Sequence, residues 1–309
     1  MNFSIENYDR KYLDGMMELY NKETVFEPYI APLNPDRFIE LVEKKSYFDP
    51  TGLFIAIESG KVVGWIHACI APGSERHHRP ENKVPQIRML IYPREKIKVG
   101  HALVSEANTW LRQSDQKRFL AIHAQEGYPF YRGIWLGGEP MGMSAMPHVQ
   151  LALEFGGYKN TQESIMMTAK IDQLPNVYNS EVNLEFITSS TNMAHSPMRE
   201  SWIGFEPMTT TAVLKDETIG SIGWVIIPYL AKRLGAPCLN IWSMGVSEPY
   251  RQKGVATALV SYVMKTGYEL NARFASVSTQ LWNIPAQKTY AKLGFIPHQL
   301  TIGRTFECK

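Results

Sequence analysis

The chain has 309 residues, enough for two domains of ordinary size, with 44% hydrophobic and 20% charged residues. A formal net charge of +2 excludes the broad basic surface that nucleic acid requires, so no nucleic-acid partner is expected. No apolar run approaches the ~20 residues that cross a bilayer, so no membrane partner is expected either. The start, Met1 to Glu6, lacks the basic residues and apolar core of a signal peptide. Cys69, Cys238 and Cys308 are odd in number and far apart, which predicts a reducing, cytoplasmic setting without a disulfide framework. No two of them share a metal-ligand spacing. The adjacent His77 and His78 have no carboxylate or thiol in a ligand pattern, so no metal is expected.

Taken in order, Asn2 to Glu6 reads as a strand and Asp9 to Tyr20 as a helix, with Tyr12, Met16, Met17 and Tyr20 at helical spacing. Pro32 and Pro35 interrupt the pattern before a second helix, Asp36 to Lys44. Leu53 to Ile57 and Val62 to Ala68 flank Ser59-Gly60 as a hairpin. A polar loop from Pro72 to Lys83 precedes a strand near Ile87 to Tyr92, a helix from Val99 to Leu111 and a strand from Phe119 to His123. Gln125 to Met146, rich in Gly, Pro, Met and aromatics, reads as a long irregular loop. A helix from Val149 to Phe155 and a strand from Ser164 to Ile171 follow.

The polar segment Asp172 to Asn183 is the best linker candidate, and beyond it the order begins again. Strands are expected at Leu184 to Ile187, Thr209 to Leu214, Thr218 to Ile227 and Leu239 to Val246, with a helical region at Met198 to Gly204. Then come a helix opening at Gly254, a strand at Ala275 to Ser278, a helix at Ile284 to Leu293 and two short strands within Phe295 to Phe306. Three landmarks repeat in order: Val63-Gly64 with Ile219-Gly220 at an offset of 156, Gly100 with Gly254 at 154, and Gly157-Tyr158 with Gly294-Phe295 at 137. The fold class is therefore α/β, a mixed sheet with flanking helices, in two tandem copies. The first is placed at residues 1–173 and the second at 182–309.

The richest stretch runs from Met244 to Val260. An apolar strand meets a polar turn with Pro249, and Arg251-Gln252-Lys253-Gly254-Val255-Ala256-Thr257 opens a helix. Val255, Leu259, Tyr262, Val263, Thr266 and Leu270 lay one apolar stripe along that helix. A helix start presents unpaired N–H groups and a positive dipole end, Gly254 allows close backbone approach, and Arg251 and Lys253 add charge. A pyrophosphate would sit well on such a cradle. Downstream, Asn283 is a good N-cap, Pro285 suits a first turn and Gly294 is a good helix stop.

Together these residues resemble the GNAT superfamily of N-acetyltransferases. The cofactor motif is carried by Arg251, Gly254 and Ala256, and the second signature by Asn283, Ala286, Tyr290 and Gly294-Phe295. The resemblance is clear over Val182 to Lys309 and eroded over Met1 to Asp172, an arrangement similar to mycothiol synthase-like tandem members. It implies acetyl-CoA as cosubstrate and a small-molecule amine as acceptor. Met244, Gly245 and Val246 would bond the pantetheine arm, with Gly245 at a strand bulge that splays the neighbouring strands. Gln252, Lys253, Gly254, Val255, Ala256 and Thr257, with the Arg251 side chain, would hold the pyrophosphate. Asn283 would contact pantetheine, and Tyr290 would serve as general acid to the leaving thiolate.

No general base is legible. Glu248, Glu206, His195 and Glu200 are candidates, and a water relay would also serve. In the first copy, Arg251, Asn283 and Tyr290 correspond to Ile97, Met146 and Leu153, while Gly100 and Ala102 remain with Lys96 and Lys98 nearby. That copy is expected to have lost catalysis. The loop from Tyr128 to Met146 either shapes the acceptor pocket or packs between the halves. Two readings follow: an N-acetyltransferase with one active site in the second copy, or a CoA-binding sensor or scaffold without turnover. Both a monomer and a homodimer are compatible with the sequence.

Overall fold

The structure is a computed structural model and describes residues 2–72, 83–122, 130–135, 142–192 and 199–308. Its elements in chain order are β1 (Ser4–Asn7), α1 (Leu13–Glu23), α2 (Pro35–Phe38), β2 (Leu53–Glu58), β3 (Lys61–Pro72), β4 (Lys83–Ile91), α3 (Ile97–Leu111), β5 (Arg118–Ala121), β6 (Gly142–Met143), α4 (Pro147–Phe155), β7 (Lys159–Lys170), β8 (Glu185–Ser190), β9 (Met208–Leu214), β10 (Glu217–Ile227), α5 (Ala231–Leu234), β11 (Cys238–Val246), α6 (Val255–Glu269), β12 (Phe274–Gln280), α7 (Ile284–Lys292) and β13 (Ile296–Glu307).

Most expected elements are present within a few residues of their expected limits. The differences have physical causes. The helix expected over Asp36 to Lys44 is four residues of α2 followed by a wider π-type turn from Ile39 to Glu43. The helical region at Met198 to Gly204 reduces to a single 3-10 turn, Arg199–Trp202. The two strands expected in Phe295 to Phe306 are one, β13, with no residue in positive φ to break it. Leu270 does not join the α6 stripe. It is the C-cap residue and is 52% exposed. Of the Tyr128 to Met146 loop, Tyr128 lies outside the described residues. Phe130, Tyr131, Ile134 and Trp135 are buried, and the Tyr131 hydroxyl meets His67 Nδ1 at 2.8 Å. Ala31 N donates to Ile134 O at 2.7 Å, so this part of the loop packs within the first compact unit.

The chain forms two compact units that are not continuous in sequence. The first holds Met1–Glu163, Ser196–Ser201 and Leu300–Lys309; the second holds Ser164–His195 and Trp202–Gln299. In the first unit, β1, β2, β3 and β4 pair antiparallel in succession, β4 pairs parallel with β5, and β5 pairs antiparallel with the end of β13, Phe119 opposite Phe306. In the second, β8, β9, β10 and β11 pair antiparallel in succession and β11 pairs parallel with β12. There the Ser164–Lys170 part of β7 closes the sheet beside β12, Ala169 opposite Ala275. Each unit thus takes a strand segment from the other half of the sequence.

The register repeats at the sequence offsets. Between β3 and β4, His67 faces Met89 and Ala68 faces Ile87, which leaves Arg88 as the extra residue of a bulge. Between β10 and β11, Gly223 faces Ser243 and Trp224 faces Ile241, which leaves Trp242. Arg88 and Trp242 are 154 residues apart. The ends of α4 and α7 also match: Tyr158 N donates to Leu153 O at 3.0 Å and Phe295 N to Tyr290 O at 3.2 Å. The bulge expected at Gly245 is therefore at Trp242. Gly223 makes room for it, since a Cβ there would lie 2.6 Å from the Trp242 ring. A Cβ on Gly245 would meet nothing within 4 Å, so no crowding requires glycine at that position.

A chain cut to residues 182–309 would lose the β7 segment beside β12 and the β5 partner of β13, exposing two strand edges. It is expected to be less soluble and to melt at a lower temperature than the whole chain, and adding residues 164–181 is expected to recover part of the loss. A soluble 182–309 fragment with the melting behaviour of the longer one would contradict this strand assignment.

Candidate functional site

The site begins where strand pairing stops. β11 pairs with β12 only from Cys238 to Ile241, opposite Phe274 to Val277, and past Ile241 no strand among the described residues pairs with that edge of β11. The phase of the free edge follows from one bond: Ser247 N donates to Ile219 O at 2.8 Å, toward β10. Backbone groups alternate along a strand, so Ser243 and Gly245 also point toward β10. The N–H and C=O groups of Met244 and Val246 then face the open side. Arg251 confirms this phase, because its Nε donates to Val246 O at 3.2 Å. From Trp242 to Val246 the strand is partly or fully exposed, whereas Cys238 to Ile241 is buried.

The cradle follows directly. After a 3-10 turn, Glu248–Tyr250, Arg251 is extended, Gln252 has φ 63° and Gly254 has φ 80°. α6 starts at Val255, and Ala258 N donates to Gly254 O at 2.9 Å. The N–H groups of Val255, Ala256 and Thr257 therefore stand at the helix terminus without an intrahelical acceptor. Lys253 Nζ lies 5.4 Å from the Tyr250 ring centre. A side chain at Gly254 would be strained by its φ and would press on Ser180 Cα at 3.3 Å.

That contact reveals a feature sequence reasoning missed. The polar segment read as a linker lies against the second unit. Tyr178 N donates to Ser261 Oγ at 2.7 Å and Glu181 N to Lys253 O at 3.0 Å. Phe186, just beyond it, stacks on Tyr262 with ring centres 4.6 Å apart. A polar, proline-bearing composition gave no hint of this anchoring. Trp242 was also missed; its ring lies 5.8 Å from that of Trp202 and shapes the strand at its bulge.

α7 supplies the remaining residues. Asn283 caps it as expected, its Oδ1 accepting from Ala286 N at 3.3 Å while Nδ2 donates to Thr279 Oγ1 at 3.2 Å. Pro285 occupies the first turn and Gly294, φ 83°, ends the helix. Tyr290 is buried in the core of the second unit, its ring 5.7 Å from Phe295. Burial pushes its phenol up to about 12.

Of the candidate bases, Glu200 is committed elsewhere: its carboxylate accepts from Ser46 N at 2.6 Å inside the first unit. Glu206 and Glu248 are exposed, and His195 lies outside the described residues. In the first copy, Met146 takes the N-cap position of α4 with no side-chain cap, and Leu153 is buried where the second copy has Tyr290. The buried polar residues there are different ones. His67 is held neutral, its pKa lowered to about 3 by burial and by Arg88. Among the described residues, no helix is long and apolar enough to cross a membrane and no acidic, histidine and cysteine cluster is placed to hold a metal.

Residues 175–295 match the model of the acetyltransferase (GNAT) family. No curated protein matches the sequence at a significant level. Among solved structures, a GCN5-related N-acetyltransferase from Sphaerobacter thermophilus is similar over 99% of this chain and 96% of its own, with a TM-score of 0.66 and 13% identity. A tandem GNAT protein from the clavulanic acid biosynthesis pathway is similar over 99% and 98%, with a TM-score of 0.64 and 13% identity. Saccharomyces cerevisiae N-myristoyltransferase with bound myristoyl-CoA and inhibitors is similar over 99% and 80%, with a TM-score of 0.57 and 10% identity. The open strand edge, the helix cradle and the capped α7 all fall inside residues 175–295, the part of the chain that matches the GNAT family, and the whole chain shares the fold of these GCN5-related and tandem GNAT structures.

Proposed function

We propose that the chain is an acetyl-CoA-dependent N-acetyltransferase that acts on a primary amine of a small-molecule acceptor, with its active site in the second copy. One observation carries this reading: a strand edge that turns the backbone groups of Met244 and Val246 outward, with the Val246 carbonyl met by Arg251, leads straight into a basic helix terminus within the family-matched residues. A pantetheine arm has two amides and can add to such an edge as an extra strand would. The pyrophosphate then meets the N–H groups from Gln252 to Thr257 and the charges of Arg251 and Lys253. Asn283 would meet the arm from the α7 side, its side chain already held by Ala286 and Thr279.

In the reaction the amine first loses a proton, then its lone pair attacks the thioester carbonyl carbon. The Val246 N–H, on the free edge, would donate to the oxyanion. The carbon–sulfur bond breaks and the thiolate leaves, while the new amide nitrogen gives its second proton to solvent. Tyr290, held protonated, would donate a hydrogen bond to the departing sulfur. Complete transfer from a phenol near about 12 to a thiolate near ~8.5 is uphill, so the hydroxyl stabilises the developing charge and the net proton comes from solvent. Glu200 is tied to Ser46 and is set aside as the base, and solvent water is the proposed acceptor of the amine proton.

Four measurements test this. Thiol release from acetyl-CoA across an amine panel should be catalytic, with longer acyl-CoAs slower; binding of CoA without turnover on any amine would overturn the enzyme reading. Tyr290→Phe should lower kcat by about 10- to 100-fold and leave CoA affinity nearly unchanged, whereas an unchanged kcat would remove Tyr290 from the chemistry. A difference titration of wild type against that variant should place the Tyr290 ionisation above the ordinary ~10 of tyrosine, because the dry folded site favours the neutral phenol. With no protein base, kcat/KM should rise with pH up to the pKa of the amine used, so changing the amine should move the inflection. An inflection fixed across amines would point to a protein group instead.

A further inference from the structure

Among the described residues, the first copy ends its parallel strand pairing at the position that matches the second. Its parallel pairing of β4 with β5 stops at Ile87, 154 residues before Ile241, and β4 runs on beyond it. Yet every residue from Ile87 to Tyr92 is completely buried, while the matching stretch from Trp242 to Val246 is partly or fully exposed. Two local differences between the copies bear on this.

The first is Tyr92 in the place of Val246. Its ring lies on Gly100, the counterpart of Gly254, so closely that a Cβ there would fall 2.3 Å from Tyr92 Cζ. Its hydroxyl donates to the His148 carbonyl at the start of α4, and His148 Nε2 donates back to Tyr92 O at 3.2 Å. Burial lowers the His148 pKa, which keeps the ring neutral and its single N–H committed to one site. The two rings meet edge to face with centres 4.9 Å apart. Tyr92 O is the counterpart of Val246 O, the carbonyl that Arg251 covers in the second copy. The free edge is thus bound by the protein itself.

The second is the helix start. α3 begins at Ile97, one turn earlier than α6 by the same offset. Val99 N donates to Lys96 O at 2.8 Å and Gly100 N to the same carbonyl at 3.3 Å. Ile97, Lys98 and Val99 are therefore helical where Arg251, Gln252 and Lys253 form the cradle, and Lys96 is paired with Glu58 at 2.6 Å. No loop is left to wrap a pyrophosphate.

Resting on the CoA reading of the second copy, we infer that the Tyr92–His148 clasp closes the thioester slot of the first copy, so that each chain binds one CoA and no more. The whole chain titrated calorimetrically with acetyl-CoA should give one site. Arg251→Glu combined with Lys253→Glu changes two surface side chains at the cradle and should weaken that site by roughly 100-fold, leaving no second site behind. Amide exchange should slow on CoA addition between Met244 and Thr257 and stay unchanged between Leu90 and Ala102. Two sites per chain, or equal protection of both segments, would overturn the inference while leaving the CoA reading standing, whereas full-strength binding that survives the double substitution would take the site off the cradle and overturn both. No binding to the wild-type chain would also overturn both.

Discussion

Everything about this molecule turns on a strand that outruns its neighbour. A backbone N–H or C=O taken from water without a partner costs about 1–3 kcal/mol, so a splayed strand edge must be answered by something. Beyond Ile241 the answer is water, the Arg251 side chain and, in the proposed reaction, the amides of a pantetheine arm. Beyond Ile87 the Tyr92 carbonyl is answered by the protein's own His148, whose Nε2 donates to it. Matching strand positions are therefore partly or fully exposed in one copy and buried in the other. Which state a position takes depends on a few side chains. Valine at position 246 leaves the edge accessible, and Tyr92 covers its own.

The electrostatics divide along the same line. At the mouth, charge is exposed: Arg251 and Lys253 flank a helix terminus that favours anions, and solvent can screen them. At the reacting end, polarity is scarce. Tyr290 lies among apolar side chains, and the burial that raises its pKa also strengthens any hydrogen bond it makes to a developing thiolate. Binding energy would come chiefly from the nucleotide end, remote from the bond that breaks, as differential stabilisation of a transition state allows.

What was legible in the sequence was local. Gly254, Asn283, Pro285 and Gly294 do jobs that depend on one residue and its immediate neighbours, so their helix starts and stops could be read directly. The offsets of 154 and 137 held to the level of single residues, placing one bulge on another and one helix cap on another. What was not legible depends on partners far away in the chain. The bulge sits at Trp242 rather than Gly245 because register is set by two strands together, with Gly223 yielding the space. The polar segment around Tyr178 looked like a linker because its anchors, Ser261 and Lys253, are about 80 residues on. Strand partners are equally invisible to periodicity, which reports the faces of a strand but never its neighbour.

The exchange of strand segments bears on why the first copy persists after losing the motif residues. Ser164–Lys170 closes the sheet of the second unit beside β12, the strand whose divergence from β11 opens the site. Removing the first half would therefore strip a partner from the strand next to the cleft. Loosening β12 would loosen Thr279, and with it the hydrogen bond that orients Asn283 at the head of α7. On this view the first copy no longer needs an open slot, and filling it with Tyr92 trades an unsatisfied edge for a buried, hydrogen-bonded one.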